Sequence, residues 1–304
     1  MSLAGIFMYI FVRKVFRFNH FVSFVAGLVY AFNGTFVHFV AYPPHLVGPA
    51  YLPLVLLFLH QAVEKKDFLR ALLAGVFISP VLLSGYPPSF VYSNLFALLF
   101  LLLAFYKDKR KMFWSIVFLA LANLAAMGLS AATLLPASEG AALSDRLKFN
   151  LYGAGSHPFY VESVLYYFFP HFFGLVQGNT NIVYGYVGIV PLILAYVAFR
   201  RRLESGWIGK LLLLAIVFFV LSLGNQTFLH DVAYNLVPRY SYFRLTAFLQ
   251  YLVAFCLAII SGFGLTALLS EKGREVFQSL RPSLIAFGSL LAFLWFEAFV
   301  LKAS

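Results

Sequence analysis

The sequence predicts an all-α integral membrane protein with about ten transmembrane helices, and three observations carry the prediction. The 304 residues are 62% hydrophobic and 11% charged, with 37 Phe and a mean hydropathy of +0.88. A soluble core of this size cannot enclose that much apolar side chain. The apolar residues fall in runs of helix length without the short alternation of a membrane barrel, so the backbone must satisfy itself within helices. Finally, Lys and Arg gather in every second loop.

The runs follow in order. Met1 to Val12 ends at Arg13, Lys14 and Arg17; it is short for a span and reads as a tilted helix with snorkelling cations, a re-entrant segment, or a span cut at its outer end. Phe21 to Val40 leads into Tyr42-Pro43-Pro44, and Leu46 to Val63 ends at Lys65, Lys66 and Arg70. Phe68 to Leu83 leads into a second Tyr86-Pro87-Pro88, and Pro88 to Tyr106 ends at Lys107, Lys109, Arg110 and Lys111. Met112 to Leu135 precedes a polar stretch from Pro136 to Val183. Tyr184 to Phe199 ends at Arg200, Arg201 and Arg202, and Trp207 to Leu223, which contains Lys210, precedes a second polar stretch, Gly224 to Arg244. Leu245 to Leu269 is followed by Lys272, Arg274 and Arg281, and Ser283 to Leu301 is last.

These alternate loops hold all the Lys and Arg except Arg146, Lys148, Arg239, Arg244 and Lys302. The asymmetry assigns the charged loops to the cytoplasm. The net charge of +11 is then a topology signal and requires no nucleic acid. Both Tyr-Pro-Pro turns and both long polar stretches fall outside. Two prolines stop a helix from running through, so each turn is expected to end one helix and start the next as a rigid outer cap. The chain, 1–304, reads as one polytopic domain with outer loops near 136–183 and 224–244. Cys256 lies inside an apolar run and forms no intrachain disulfide, which leaves it a packing role.

Several blocks, taken in order, resemble the bacterial YfhO-type membrane proteins. They are SLAGIFMYIFVRKVFRFNHFVSFVAGLVYAFNGTFVHF, YLPLVLLFLHQAVEKKDFLRALLAGVFISPVLLSGYPPSFVYS, YFFPHFFGLVQG, YGYVGIVPLILA and SLGNQTFLHDVAYNLVPRYSYFRLTAF. The likeness covers about Ser2 to Leu269 and lies in the order and spacing of the blocks. It implies a helical bundle of the GT-C superfold, whose glycosyltransferases take sugar from a polyprenyl-phosphate donor on the outer membrane face. The resemblance also marks three departures. Relatives carry a further first span and an acidic first outer loop that holds the presumed base, so this sequence is expected to be a fragment or a shortened form. The Tyr-Pro-Pro turns stand where relatives often have His-Pro, and Phe248 stands where an Arg is common.

Sugar transfer from a lipid phosphate needs a base for the acceptor hydroxyl and donors for the leaving phosphate. Outer carboxylates are Glu139, Asp145, Glu162 and Asp231; with the family's usual base outside this sequence, Glu162 and Asp145 are the candidate catalytic residues. Arg suits phosphate because its planar fork bonds in pairs. Arg244 and Arg239, in PRYSYFR at the outer mouth of the ninth run, are the candidate donor-phosphate ligands, with His171 of FFPHFFG beside them. The opposing reading is snorkelling arginines and a packed interfacial histidine. Tyr42, His45, Tyr86 and Tyr242 are candidates for a substrate groove, since sugars stack on aromatic faces; an interfacial aromatic belt explains such residues equally. Glu297, at membrane depth in the last run, is expected to reach the outer interface. His38, His45, His157 and His230 have no metal-ligand spacing, so a divalent metal ion stays an open cofactor assignment.

The expected activity is a membrane glycosyltransferase that moves sugar from a polyprenyl-phosphate donor to an extracytoplasmic polymer or lipid of the cell envelope. The expected location is the bacterial cytoplasmic membrane, with membrane lipids as further partners. The rivals are a transporter or flippase for lipid-linked glycan and a non-catalytic partner subunit. Transporters usually show internal repeats and paired broken helices near the midplane; here only the Tyr-Pro-Pro turn repeats, and the midplane carries almost no charge, which weighs against ion-coupled transport.

Overall fold

The computed structural model describes residues 1–142, 157–160, 163–164, 167–168, 185–200, 206–236 and 245–270, with isolated positions between 278 and 289. These residues are helical, with no strand among them. The helices are α1 Ser2–Val15, α2 His20–Ala31, α3 Gly34–His38, α4 Pro43–Lys65, α5 Phe68–Leu83, α6 Pro87–Ala104, α7 Lys109–Leu129, α8 Ala131–Ala142, α9 Ile189–Arg200, α10 Trp207–Ser222, α11 Phe228–Leu236 and α12 Gln250–Leu268. Short 3-10 turns occupy Phe39–Ala41, Gly224–Gln226 and Thr246–Leu249.

Polar residues at the breaks explain the boundaries. Asn19, Asn33, Asp67 and Asp108 each sit just before a helix, and each side chain accepts a hydrogen bond from a backbone N–H of the first turn, satisfying donors the helix cannot. Asn33 divides the expected second run into α2 and α3, bent by 45°. Its amide also donates to the Tyr30 carbonyl at 2.6 Å. Met112 to Leu135 likewise divides at Ser130, between α7 and α8, whose hydroxyl reaches the Ser79 carbonyl.

Among the described residues four helical segments are long and apolar enough to cross a membrane: Pro43–Lys65, Pro87–Ala104, Lys109–Leu129 and Thr246–Leu268. The bent pair α2 with α3 makes a fifth if it is one span. The expectation of about ten spans counted apolar runs that form shorter helices: α1 has 14 residues and α9 has 12, about 21 Å and 18 Å at a rise of about 1.5 Å per residue, against a hydrocarbon core of about 30 Å. The run 283–301 lies outside the described residues. By length and composition the apolar helices are compatible with a multi-pass membrane protein.

Two helices form the centre. Within their most apolar windows, 72% of residues are buried in α4 and in Thr246–Leu268, against 33% in α6 and 28% in α7. Phe11 of α1, Phe96 of α6 and Phe218 of α10 form one buried ring cluster with Phe255 of α12. Helix α9 packs on α12 at Gly264, where a Cβ would lie 1.8 Å from the Leu194 carbonyl oxygen. Two of the three prolines inside α4 and α5 are compensated by side chains. Pro53 has no N–H for the Pro49 carbonyl, and the buried Tyr30 hydroxyl donates to it at 2.7 Å. Pro80 leaves the Val76 carbonyl to the Ser79 hydroxyl at 2.8 Å. Such substitution is what lets proline persist in an apolar helix.

The bundle has two unlike ends. Phe16 and His60 both contact the Trp207 ring, His60 also contacts Phe105, and the Lys210 ammonium lies 4.7 Å over Tyr106. These contacts gather the α1–α2, α4–α5 and α6–α7 turns and the start of α10 at one basic end. The Tyr-Pro-Pro segments, the end of α10 and the start of α12 lie at the other.

Candidate functional site

Each Tyr-Pro-Pro begins a helix. Tyr42 and Tyr86 are the residues before α4 and α6, with φ and ψ of −126° and 70°, and −116° and 81°. The prolines fill the first helical positions, where their missing N–H groups cost nothing, and they keep the preceding tyrosine out of the helical region. The Tyr42 carbonyl accepts from the His45 N–H at 3.0 Å and the Tyr86 carbonyl from the Ser89 N–H at 3.1 Å. The stop expected before each turn is real but separate: the Phe39–Ala41 turn ends the first segment, and Gly85, with φ of 76°, follows α5.

The two starts meet face to face. Gly48 is set so closely against Ser89 that a Cβ there would fall 1.8 Å from the Ser89 hydroxyl oxygen. This brings the His45 ring to 3.8 Å from the Tyr86 ring, centroid to centroid, while its other face stacks on Phe39 at 4.5 Å and 6°. Phe248 closes the box edge-on, 5.3 Å from both Phe39 and Tyr86 and 6.0 Å from His45. Tyr42 stands at the rim, 59% exposed, with its ring 6.1 Å from His45. Of the proposed groove residues, Tyr42, His45 and Tyr86 thus come together.

Phe248 stands at the centre of this box. Phe248 is fully buried and also touches Tyr251 and Tyr92; a guanidinium in its place would be enclosed by rings. Phe39, Ser89 and Gly48 complete the site, and no motif in the sequence marked them. Two buried polar atoms around it, Ser89 Oγ and Thr246 Oγ1, have no hydrogen-bond partner among the described residues, while the His45 ring is held by the Tyr42 backbone. Buried polar atoms are usually paired, and these two are exceptions.

A hydrogen-bonded network anchors the loops beside the box. The Tyr167 hydroxyl donates to the Gln250 side-chain oxygen, the Gln250 amide donates to the Ser222 hydroxyl at 2.7 Å, and that hydroxyl donates to the Phe219 carbonyl at 2.6 Å. Burial, opposed by the bond to Gln250, holds the Tyr167 phenol well above its ordinary pKa, so it remains a donor. The Ala247 N–H donates to the His157 carbonyl at 3.2 Å, and the Gly34 N–H to the Tyr186 carbonyl at 2.7 Å.

Glu162, Asp145, Arg244, Arg239, His171, Tyr242 and Glu297 lie outside the described residues. Glu139 and Asp231 are exposed. No cluster of three or more His, Cys, Asp or Glu side chains suited to a metal ion occurs among the described residues. The sequence matches no protein-family model, and no curated protein matches it.

Proposed function

We propose that this chain is a membrane glycosyltransferase of GT-C type that uses a polyprenyl-phosphate-linked sugar to glycosylate an extracytoplasmic polymer or lipid. The observation that supports the reading best is the aromatic box of His45, Tyr86, Phe39 and Phe248, with partnerless polar atoms beside stacked rings at the end opposite the basic turns. Rings with interspersed donors suit a sugar, whose apolar face stacks while its hydroxyls bond. In this reading the basic turns face the cytoplasm, and the box opens toward the outer leaflet, where a lipid-phosphate donor is presented. Arg244 and Arg239 bind the donor phosphate, and Glu162 or Asp145 takes the acceptor proton. Arg244 immediately precedes Leu245 and the turn that carries Phe248.

The test is transfer from a radiolabelled polyprenyl-phosphate hexose by the full chain in nanodiscs, with membrane-extracted glycan as acceptor. Arg244→Ala is expected to reduce transfer at least about tenfold, the scale of one charge-assisted phosphate contact. Tyr86→Ala is expected to raise KM for the acceptor. Absence of donor consumption by the unaltered chain, or turnover unchanged in Arg244→Ala, overturns the proposal.

A further inference from the structure

A cleft of about 530 Å3 runs between α1 and α2, lined chiefly by Gly5, Ile6 and Tyr9 on one side and Phe24, Gly27 and Leu28 on the other. Its floor is formed where the backbones meet, since a Cβ on Gly27 would fall 2.7 Å from the Gly5 carbonyl oxygen. Its walls are apolar, and Ile6 and Phe24 are 52% and 57% exposed.

The end of the cleft nearest the basic turns is polar. There Tyr9 Oη lies 2.7 Å from His20 Nδ1, and Arg13 Nη2 lies 3.3 Å from His20 Nε2. A guanidinium only donates, so Nε2 accepts, the ring proton sits on Nδ1, and Nδ1 donates to Tyr9 Oη. The hydroxyl proton of Tyr9 is then left to donate to something else. Lys14 and Arg17 are exposed in the same turn, and no carboxylate pairs with Arg13 among the described residues.

The lengths match a lipid. From Met1 to Tyr9 the cleft follows α1 for about 12 Å, and Arg13 stands about 6 Å further on, against about 15 Å for the hydrocarbon half of one leaflet. We propose that this cleft holds an acyl chain of one anionic glycerophospholipid from the leaflet at the basic end, with its phosphodiester bound by Arg13 and the Tyr9 hydroxyl. Charge complementarity selects an anionic head over a zwitterionic one. The site lies at the end away from the aromatic box and stands independently of the sugar-transfer reading.

The test is native mass spectrometry of the full chain in detergent, titrated separately with phosphatidylglycerol and phosphatidylcholine. Phosphatidylglycerol is expected to be retained about tenfold more strongly, and Arg13→Gln to remove that preference by lowering phosphatidylglycerol retention far more than phosphatidylcholine retention. Ile6→Trp, which fills the cleft, is expected to lower retention of both. Tyr9→Phe keeps the ring and removes only the hydroxyl; it is expected to lower phosphatidylglycerol retention about threefold and serves if Arg13→Gln does not fold. Equal retention of the two lipids by the unaltered chain, or phosphatidylglycerol retention indifferent to these changes, overturns the proposal.

Discussion

The imidazole of His45 and the phenol ring of Tyr86 lie 3.8 Å apart, each three residues or fewer from the start of its own helix. Two copies of one local turn are thereby joined face to face, and Gly48 against Ser89 sets the distance. Each copy starts its own helix; the pair builds a cluster of packed rings at one end of the bundle.

Gly48→Ala is expected to push the two helix starts apart, because its Cβ meets both the hydroxyl and the Cβ of Ser89. Overpacking of this kind costs about 1 to 3 kcal/mol. Ser89→Gly should restore most of the loss in the double variant. Thermal unfolding in detergent across the four proteins measures the coupling, and additive losses would show that the two residues do not touch.

Phe248→Ala removes the ring shared by Phe39, His45 and Tyr86. The expected loss is about 3 to 5 kcal/mol, seen as a lower midpoint in the same unfolding measurement. Phe248→Leu, which refills much of the volume, should lose less than half as much.

Gln250→Leu leaves the Tyr167 and Ser222 hydroxyls without the partner between them. An orphaned buried polar group costs about 1 to 3 kcal/mol. Limited proteolysis should then cut the region around 157–168 faster than in the unaltered chain, while cleavage at the basic turns stays the same.

Tyr30→Phe removes only the bond to the Pro49 carbonyl. Interhelical bonds of this sort contribute about 0.6 kcal/mol in membrane proteins, so a small drop in midpoint is expected. Restoring the helix's own donor with Pro53→Ala should make the Tyr30→Phe change nearly silent.

Topology is checked by thiol labelling. Cys256 is fully buried and serves as an unreactive background. In intact cells Glu139→Cys is expected to react with an impermeant maleimide and Lys109→Cys only after lysis. The reverse pattern would invert the orientation read from the basic turns.

The sequence by itself determined the helical segments, because an apolar run bounded by charge or proline has few alternatives in a low-dielectric solvent. Phe68–Leu83 coincides with its run, and α4, α6, α10 and α12 differ from theirs by a few residues at most. It also determined that the cations are segregated, since their order along the chain alternates. The aromatic residues it offered for a groove were Tyr42, His45, Tyr86 and Tyr242, of which the first three meet at one end of the bundle and Tyr242 lies outside the described residues. The tertiary structure decided the rest. The helix breaks at Asn33 and Ser130 involve side chains bonding to neighbouring backbone, which no apolar count registers. The central place of Phe248 depends on Phe39 and both helix starts arriving from distant parts of the chain, and only packing can specify contacts between residues that far apart.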